Sequence, residues 1–251
     1  MKGINLIVFL VLSSIAFGQE VNQTDAQGRK QGKWEKIYPG TRVYMYRGQF
    51  VDDEPIGQFL YFYKSSKLKA VIEHDSLSNR AECYYYHPTG GIMSSGILRD
   101  LKKDSVWVNF DKLGKVSSKE TFKKDSLHGA RIIFYPPAEG SKRQSASEMF
   151  NYDNGTLHGE YRAYFESGRT KSEGTYEKGK KHGIWKNYHH TGRVMNLQRY
   201  KNGVRHGWCT THDESGKQIT KNYIYYGRHL TGKELKKKME EFKRLGVNPN
   251  D

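Results

Sequence analysis

The chain has 251 residues, a formal charge of +15, 35% hydrophobic residues and 13% aromatic residues. Tyrosine (18) outnumbers leucine (15), which excludes the leucine-led core of most globular domains and favours half-buried rings with wet hydroxyls. Only 6 prolines are present, against long proline-rich linkers. The basic surplus suits either a solvated surface or a polyanionic partner such as anionic lipid, acidic polysaccharide or nucleic acid.

The first predicted element is a leader. Lys2 supplies a positive start, an apolar stretch runs from Ile4 to Ile15, and Ala16 and Gly18 put small residues at the −3 and −1 positions. Cleavage is expected between Gly18 and Gln19, making 1–18 a signal peptide. The apolar stretch is short of the roughly 20 residues that span a bilayer, and no cysteine stands near the cut to carry a lipid. The chain is therefore expected to be exported, to the periplasm, the outer cell surface or the medium. Residues 19–27 read as an N-terminal linker.

From residue 28 to residue 230 the sequence repeats. Gly159, Gly183 and Gly207 open segments 24 residues apart. The same register runs back through Gly129, Ser105, Ala81, Gly57 and Gly32, so the first column is small in all eight units. Two residues in, the column reads Trp34, Phe59, Cys83, Trp107, Arg131, Tyr161, Trp185 and Cys209. Five residues in, it reads Ile37, Phe62, Tyr86, Phe110, Phe134, Tyr164, Tyr188 and His212. Glycines recur nine residues in (Gly90, Gly114, Gly168, Gly192, Gly216) and near position twenty (Gly155, Gly179, Gly203, Gly227). Each unit is thus expected to be strand, turn, strand, turn: a tandem array of about eight β-hairpins. Period-two alternation puts the two aromatic columns on opposite faces unless a bulge intervenes. Rings on both faces suit a single-layer sheet.

Two irregularities stand out. Residues 66–81 hold the register poorly. The step from Gly129 to Gly159 is 30 residues, an insertion near 136–150 that reads as a lengthened turn around Pro136 and Pro137. After Tyr226 the pattern turns helical: Thr231 and Glu234 form a predicted capping box, and Leu235, Met239, Phe242 and Leu245 form one apolar stripe over 232–245. Residues 231–251 are read as a capping helix and tail for the open end of the array; the rival is a basic membrane-surface helix using Lys236, Lys237, Lys238, Lys243 and Arg244.

The chemistry-bearing residues do not converge in this register. His128, His158, His182 and His206 recur just before the first-column glycine, but equivalent positions in successive hairpins lie roughly 9–10 Å apart, while zinc needs its ligands within about 2.0–2.3 Å of one ion. Cys83 and Cys209 share a column five units apart, about 50 Å along an open sheet, so no disulfide is expected. No nucleophile elbow, phosphate-binding loop, HExxH or dinucleotide fingerprint occurs. The expectation is a protein that is not an enzyme, with no catalytic, metal or cofactor residues.

The unit Gly-x-Trp/Tyr-x-x-Tyr followed by Ser/Thr-Gly, a large residue, Asn/Lys-Gly and His-Gly resembles the MORN repeat variant family, most closely in Gly159 to His182 and Gly183 to His206. The resemblance implies an elongated, twisted antiparallel sheet of hairpins. For bacterial members it implies an antitoxin-type label, and for eukaryotic members membranes and scaffolding, with no fixed catalytic set. The expected function is a non-catalytic scaffold for a protein or polysaccharide partner in the cell envelope. An anionic membrane or polyanion surface is the alternative, and an immunity role rests on the resemblance alone. Export disfavours nucleic acid.

Overall fold

A computed structural model of the chain describes residues 20–138, 140, 141 and 143–250. The expected leader and the Gly18–Gln19 junction lie outside the described residues. Among the described residues the chain is all-β apart from one C-terminal helix. Its strands are β1 (Gln23–Thr24), β2 (Lys30–Ile37), β3 (Tyr44–Val51), β4 (Glu54–Phe62), β5 (Leu68–His74), β6 (Arg80–Tyr86), β7 (Ile92–Arg99), β8 (Lys102–Phe110), β9 (Val116–Lys123) and β10 (Ser126–Phe134). They continue as β11 (Ala146–Asp153), β12 (Thr156–Leu157), β13 (Gly159–Tyr164), β14 (Thr170–Glu177), β15 (Lys180–Tyr188), β16 (Val194–Lys201), β17 (Val204–Arg205), β18 (Gly207–His212), β19 (Gln218–Tyr225) and β20 (Arg228–Leu230), followed by α1 (Gly232–Leu245). Strands pair antiparallel with their neighbours in sequence, except that β11 runs on to β13 past the two-residue β12 and β16 to β18 past the two-residue β17, giving one long open sheet of hairpins.

The small first column has a definite cause. At the joint between β14 and β15, Glu173 pairs with Lys186 and Thr175 with His182, so four residues of β15 span two of β14. Gly183 sits in this bulge at φ +66, a conformation that disfavours a side chain. The same shift recurs between β3 and β4, β7 and β8, and β9 and β10. Because two residues are inserted, the alternation of faces is preserved across each joint. Where the column holds Ala81, the ladder between β5 and β6 runs without a shift. The weak register there reflects a regular β5–β6 joint, in which Ala81 does not take the positive φ of the glycine column.

The bulge lays the next large residue over the preceding strand. Phe59, Trp107 and Trp185 lie against Gly48, Gly96 and Gly174, where a Cβ would fall inside the ring. The indole N–H groups of Trp107 and Trp185 donate to the carbonyls of Ile97 and Thr175 at 3.0 and 3.1 Å. Tyr161, Tyr176 and Tyr200 surround Trp185, with centroids 5.2, 5.1 and 6.2 Å away. The buried cluster Phe59, Ile72, Ala81, Cys83, Leu98 and Trp107 occupies the same face. At Arg131 the ring is replaced by an ion pair with Glu120 at 3.0 Å.

The ends are closed differently. Residues 19–27, expected as a linker, contribute β1, which pairs with β2, and Asn22, whose backbone and side chain bond to Lys33 and Glu35. That covers backbone groups an edge strand would leave unpaired. The insertion narrows to the turn between Phe134 and Ala146, closed by Tyr135 N–H donating to Ser145 O at 3.0 Å. At the far end α1 packs Phe242, Met239 and Leu235 onto Tyr223, Leu230, Trp208 and Tyr225. Leu245, counted in the stripe, points out at 59% exposure. The capping box does not form: Thr231 makes no side-chain cap bond, and the Glu234 carboxylate is held by Arg228 instead. Gly246 ends the helix in the left-handed conformation.

Replacing Gly174 with alanine should force Trp185 off β14. The expected cost is about 2 kcal/mol by overpacking, read as a lower denaturation midpoint together with increased quenching of Trp185 fluorescence.

Candidate interaction surface

Pairing parity sorts the side chains into two faces with different character. One carries Trp34, Phe59, Trp107, Tyr161 and Trp185. Outside the last hairpin the buried rings of the array lie here: Phe59 (2% exposed), Trp107 (0%) and Trp185 (4%). Three of its rings are covered by a lysine four residues earlier in sequence: Lys30 over Trp34 at 5.2 Å, Lys103 over Trp107 at 4.5 Å and Lys181 over Trp185 at 4.0 Å from the centroid. Burial pushes the Lys181 ammonium down from its ordinary range. This face is closed by its own side chains.

The opposite face is open. Cross-strand partners form one uninterrupted row: Glu35, Arg47, Leu60, Val71, Tyr84, Ser95, Val108 and Lys119, then Ile132, Met149, Arg162, Glu173, Lys186, Leu197, Thr210 and Lys221. Beside it Val106 and Ile184 are 49% and 44% exposed, and Tyr84 in the row is 37% exposed. The second aromatic column, Phe62, Tyr86, Phe110, Phe134, Tyr164 and Tyr188, lines one margin of this face and is half-buried. The two columns therefore take opposite faces, as alternation predicts.

A hydrogen-bonded staple that the column reading missed aligns successive hairpins along that margin. In five of the eight units the residue after the second column reaches the backbone of the next unit. Tyr38, Tyr63 and Tyr135 hydroxyls donate to the carbonyls of Phe62, Tyr86 and Tyr164 at 2.7–2.8 Å. His87 and His189 place Nε2 at 3.4 and 3.0 Å from the carbonyls of Phe110 and His212. The recurrence of Tyr or His six residues in was the available signal, as was the Lys-x-x-x-Trp spacing of the covered rings.

Polar clusters on the open face are structural in scale. Tyr188 donates to Glu173 Oε1 at 2.6 Å, and Lys186 Nζ lies 3.1 Å from the same oxygen. The Tyr188 hydroxyl, then Lys186, holds the Glu173 carboxyl below its usual range against the opposing effect of burial. Burial, then Glu173, pushes Tyr188 up to about 12. The recurring histidines take separate partners along the other margin. His128 Nδ1 is 3.3 Å from Asp153 Oδ1, His182 Nδ1 is 3.2 Å from Glu177 Oε2, and His206 Nδ1 accepts from Tyr226 N–H at 3.3 Å. Among the described residues no group of three or more His, Cys, Asp or Glu is placed to hold a metal ion. Cys83 and Cys209 are free; Cys83 is buried and burial pushes its thiol up to about 11. No described helix is long and apolar enough to cross a membrane.

Residues 157–178 and 181–202 match the MORN repeat variant family. These are the hairpins built on Gly159 and Gly183, and the chain carries repeats of this family there. Such repeats are in general protein- or membrane-interaction repeats. No curated protein matches the chain.

Tyr188→Phe should raise the Glu173 pKa toward the ordinary glutamate range, measured by carboxyl NMR titration. The depressed carboxylate stabilises the fold above its unfolded pKa, and that stability is lost as pH falls through the folded pKa. The variant should therefore lose stability at neutral pH and show a weaker fall on acidification.

Proposed function

We propose that the chain is a non-catalytic repeat scaffold of the cell envelope that binds a protein or polysaccharide along its open face. The observation that carries this reading is the asymmetry of the sheet. One face is consumed by its own rings, while the other presents a row sixteen residues long from Glu35 to Lys221. The chain itself covers part of that face at its last hairpin, where α1 packs on Trp208 and Tyr223. The leader residues Lys2 to Gly18 support placement in the envelope. The interleaving of acids and bases along the row, as in Glu35–Arg47 at 2.9 Å and Glu173–Lys186 at 3.1 Å, favours a shaped partner over a uniformly anionic surface.

The test uses the mature chain from Gln19 with two open-face variants, Val106→Glu and Tyr84→Glu, and a turn control, Leu113→Glu, whose parent side chain is 84% exposed. Binding to purified envelope protein and polysaccharide fractions should fall about tenfold in the face variants and stay unchanged in the control. It should also persist at high salt. Flotation with anionic vesicles that salt abolishes, with no effect of the face variants, would replace this reading with that of a polyanion-surface binder.

A further inference from the structure

We infer that a cavity between the C-terminal tail and the open face is a binding site for an acidic sugar, with Arg199 as the carboxylate ligand. This deepens the reading above and rests on it for the polysaccharide class.

The site is built by the chain folding back on itself. After α1 the tail returns across β18 and β19. Tyr223 hydroxyl donates to Pro249 O at 2.8 Å, Trp208 N–H donates to Asn250 Oδ1 at 3.1 Å, and Asn250 N–H donates to Asn248 Oδ1 at 3.1 Å. Asn248 and Asn250 thereby form one wall, and β15 and β16 form the other. The volume of this half-open cleft is about 520 Å³, within the 300–1,000 Å³ of small-molecule sites and far larger than a bare ion needs.

Its charge is one-sided. Arg199, Lys201 and His182 line it, and among the described residues no carboxylate does. His182 already faces Glu177 at 3.2 Å. Among the described residues Arg199 and Lys201 form no ion pair, whereas Arg47, Arg131 and Arg162 elsewhere on the sheet each meet a glutamate. Arg199 Nε is shut from solvent and has no hydrogen-bond partner among the described residues. The planar guanidinium fork matches a carboxylate bidentately. The body of the ligand meets the amides of Asn248 and Asn250, which can donate to and accept from hydroxyls, and the half-exposed side chain of Ile184. An anionic head on a hydroxylated body is the chemistry of a uronic acid.

The mature chain is titrated at physiological salt with glucuronate, glucose and inorganic phosphate, followed by calorimetry and by the Asn248 and Asn250 side-chain amide signals. Glucuronate should bind and shift both amides; glucose and phosphate should do neither. Arg199→Gln should weaken glucuronate at least about tenfold, as expected for loss of a charged hydrogen-bonding partner, with circular dichroism unchanged. Arg199→Lys, which keeps the charge and loses the fork, should give a smaller loss and serves if the first variant unfolds. Lys119→Gln, on a distant hairpin, should have no effect. Equal binding of glucose, phosphate binding as tight as glucuronate, or undiminished binding by both Arg199 variants overturns the assignment. The Val106 and Tyr84 variants lie outside the cavity, so loss of envelope binding in them without any glucuronate binding refutes this site alone.

Discussion

A ring laid flat over a glycine closes one face of this sheet without a second layer. Phe59 on Gly48, Trp107 on Gly96 and Trp185 on Gly174 are the same contact in three hairpins. The bulge that opens each of these units places the ring there, and the absent Cβ on the preceding strand makes the room. The energy comes from burying a large aromatic surface that would otherwise be wet. The indole N–H bonds to Ile97 and Thr175 satisfy the one polar atom each tryptophan brings with it. Lysines then roof several rings with their stems while keeping the charge outward.

Other features follow from that closure. A sheet that packs its core on one side leaves the other free, so the opposite side chains need not bury anything. They form a mixed row in which Leu60, Val71 and Val108 stand among polar and charged residues. Hairpin-to-hairpin alignment falls to the staples at the margin, since no facing layer exists to fix it. The ends, where a repeat has no neighbour, need separate solutions: a two-residue strand with Asn22 at the start, and α1 with its tail at the finish. At the finish the covered face changes. Trp208 and Tyr223 lie on the side left open elsewhere, and Phe242 buries them.

Much of this was legible in the sequence. The register from Gly32 to Gly207, the hairpin unit, the opposite facing of the two aromatic columns and the helix over 232–245 all come from spacing. The missing pieces depend on contacts between units. Gly48, Gly96 and Gly174 stand eleven residues before their rings, a relation across a strand joint that a column alignment splits between repeats. The first column could be seen to be small, but the positive φ that makes Gly183 preferable there shows only when Lys186 and His182 are paired with Glu173 and Thr175. The Thr231–Glu234 pattern misled: Arg228, in the last strand, holds the carboxylate instead. Residues 19–27 looked like a linker because a two-residue strand has no periodicity to detect. The cavity at Arg199 had no sequence signal at all, since the tail that walls it arrives from more than forty residues downstream.

The division into a closed ring face and an open mixed face is tested most directly by hydroxyl-radical footprinting of the protein, read residue by residue by mass spectrometry. Phe59, Trp107 and Trp185 should be protected despite their intrinsic reactivity, while Tyr84, Val106 and Ile184 should be modified rapidly. Comparable modification of Trp107 or Trp185 and of Tyr84 would contradict the account, because it would mean that the rings do not close their face.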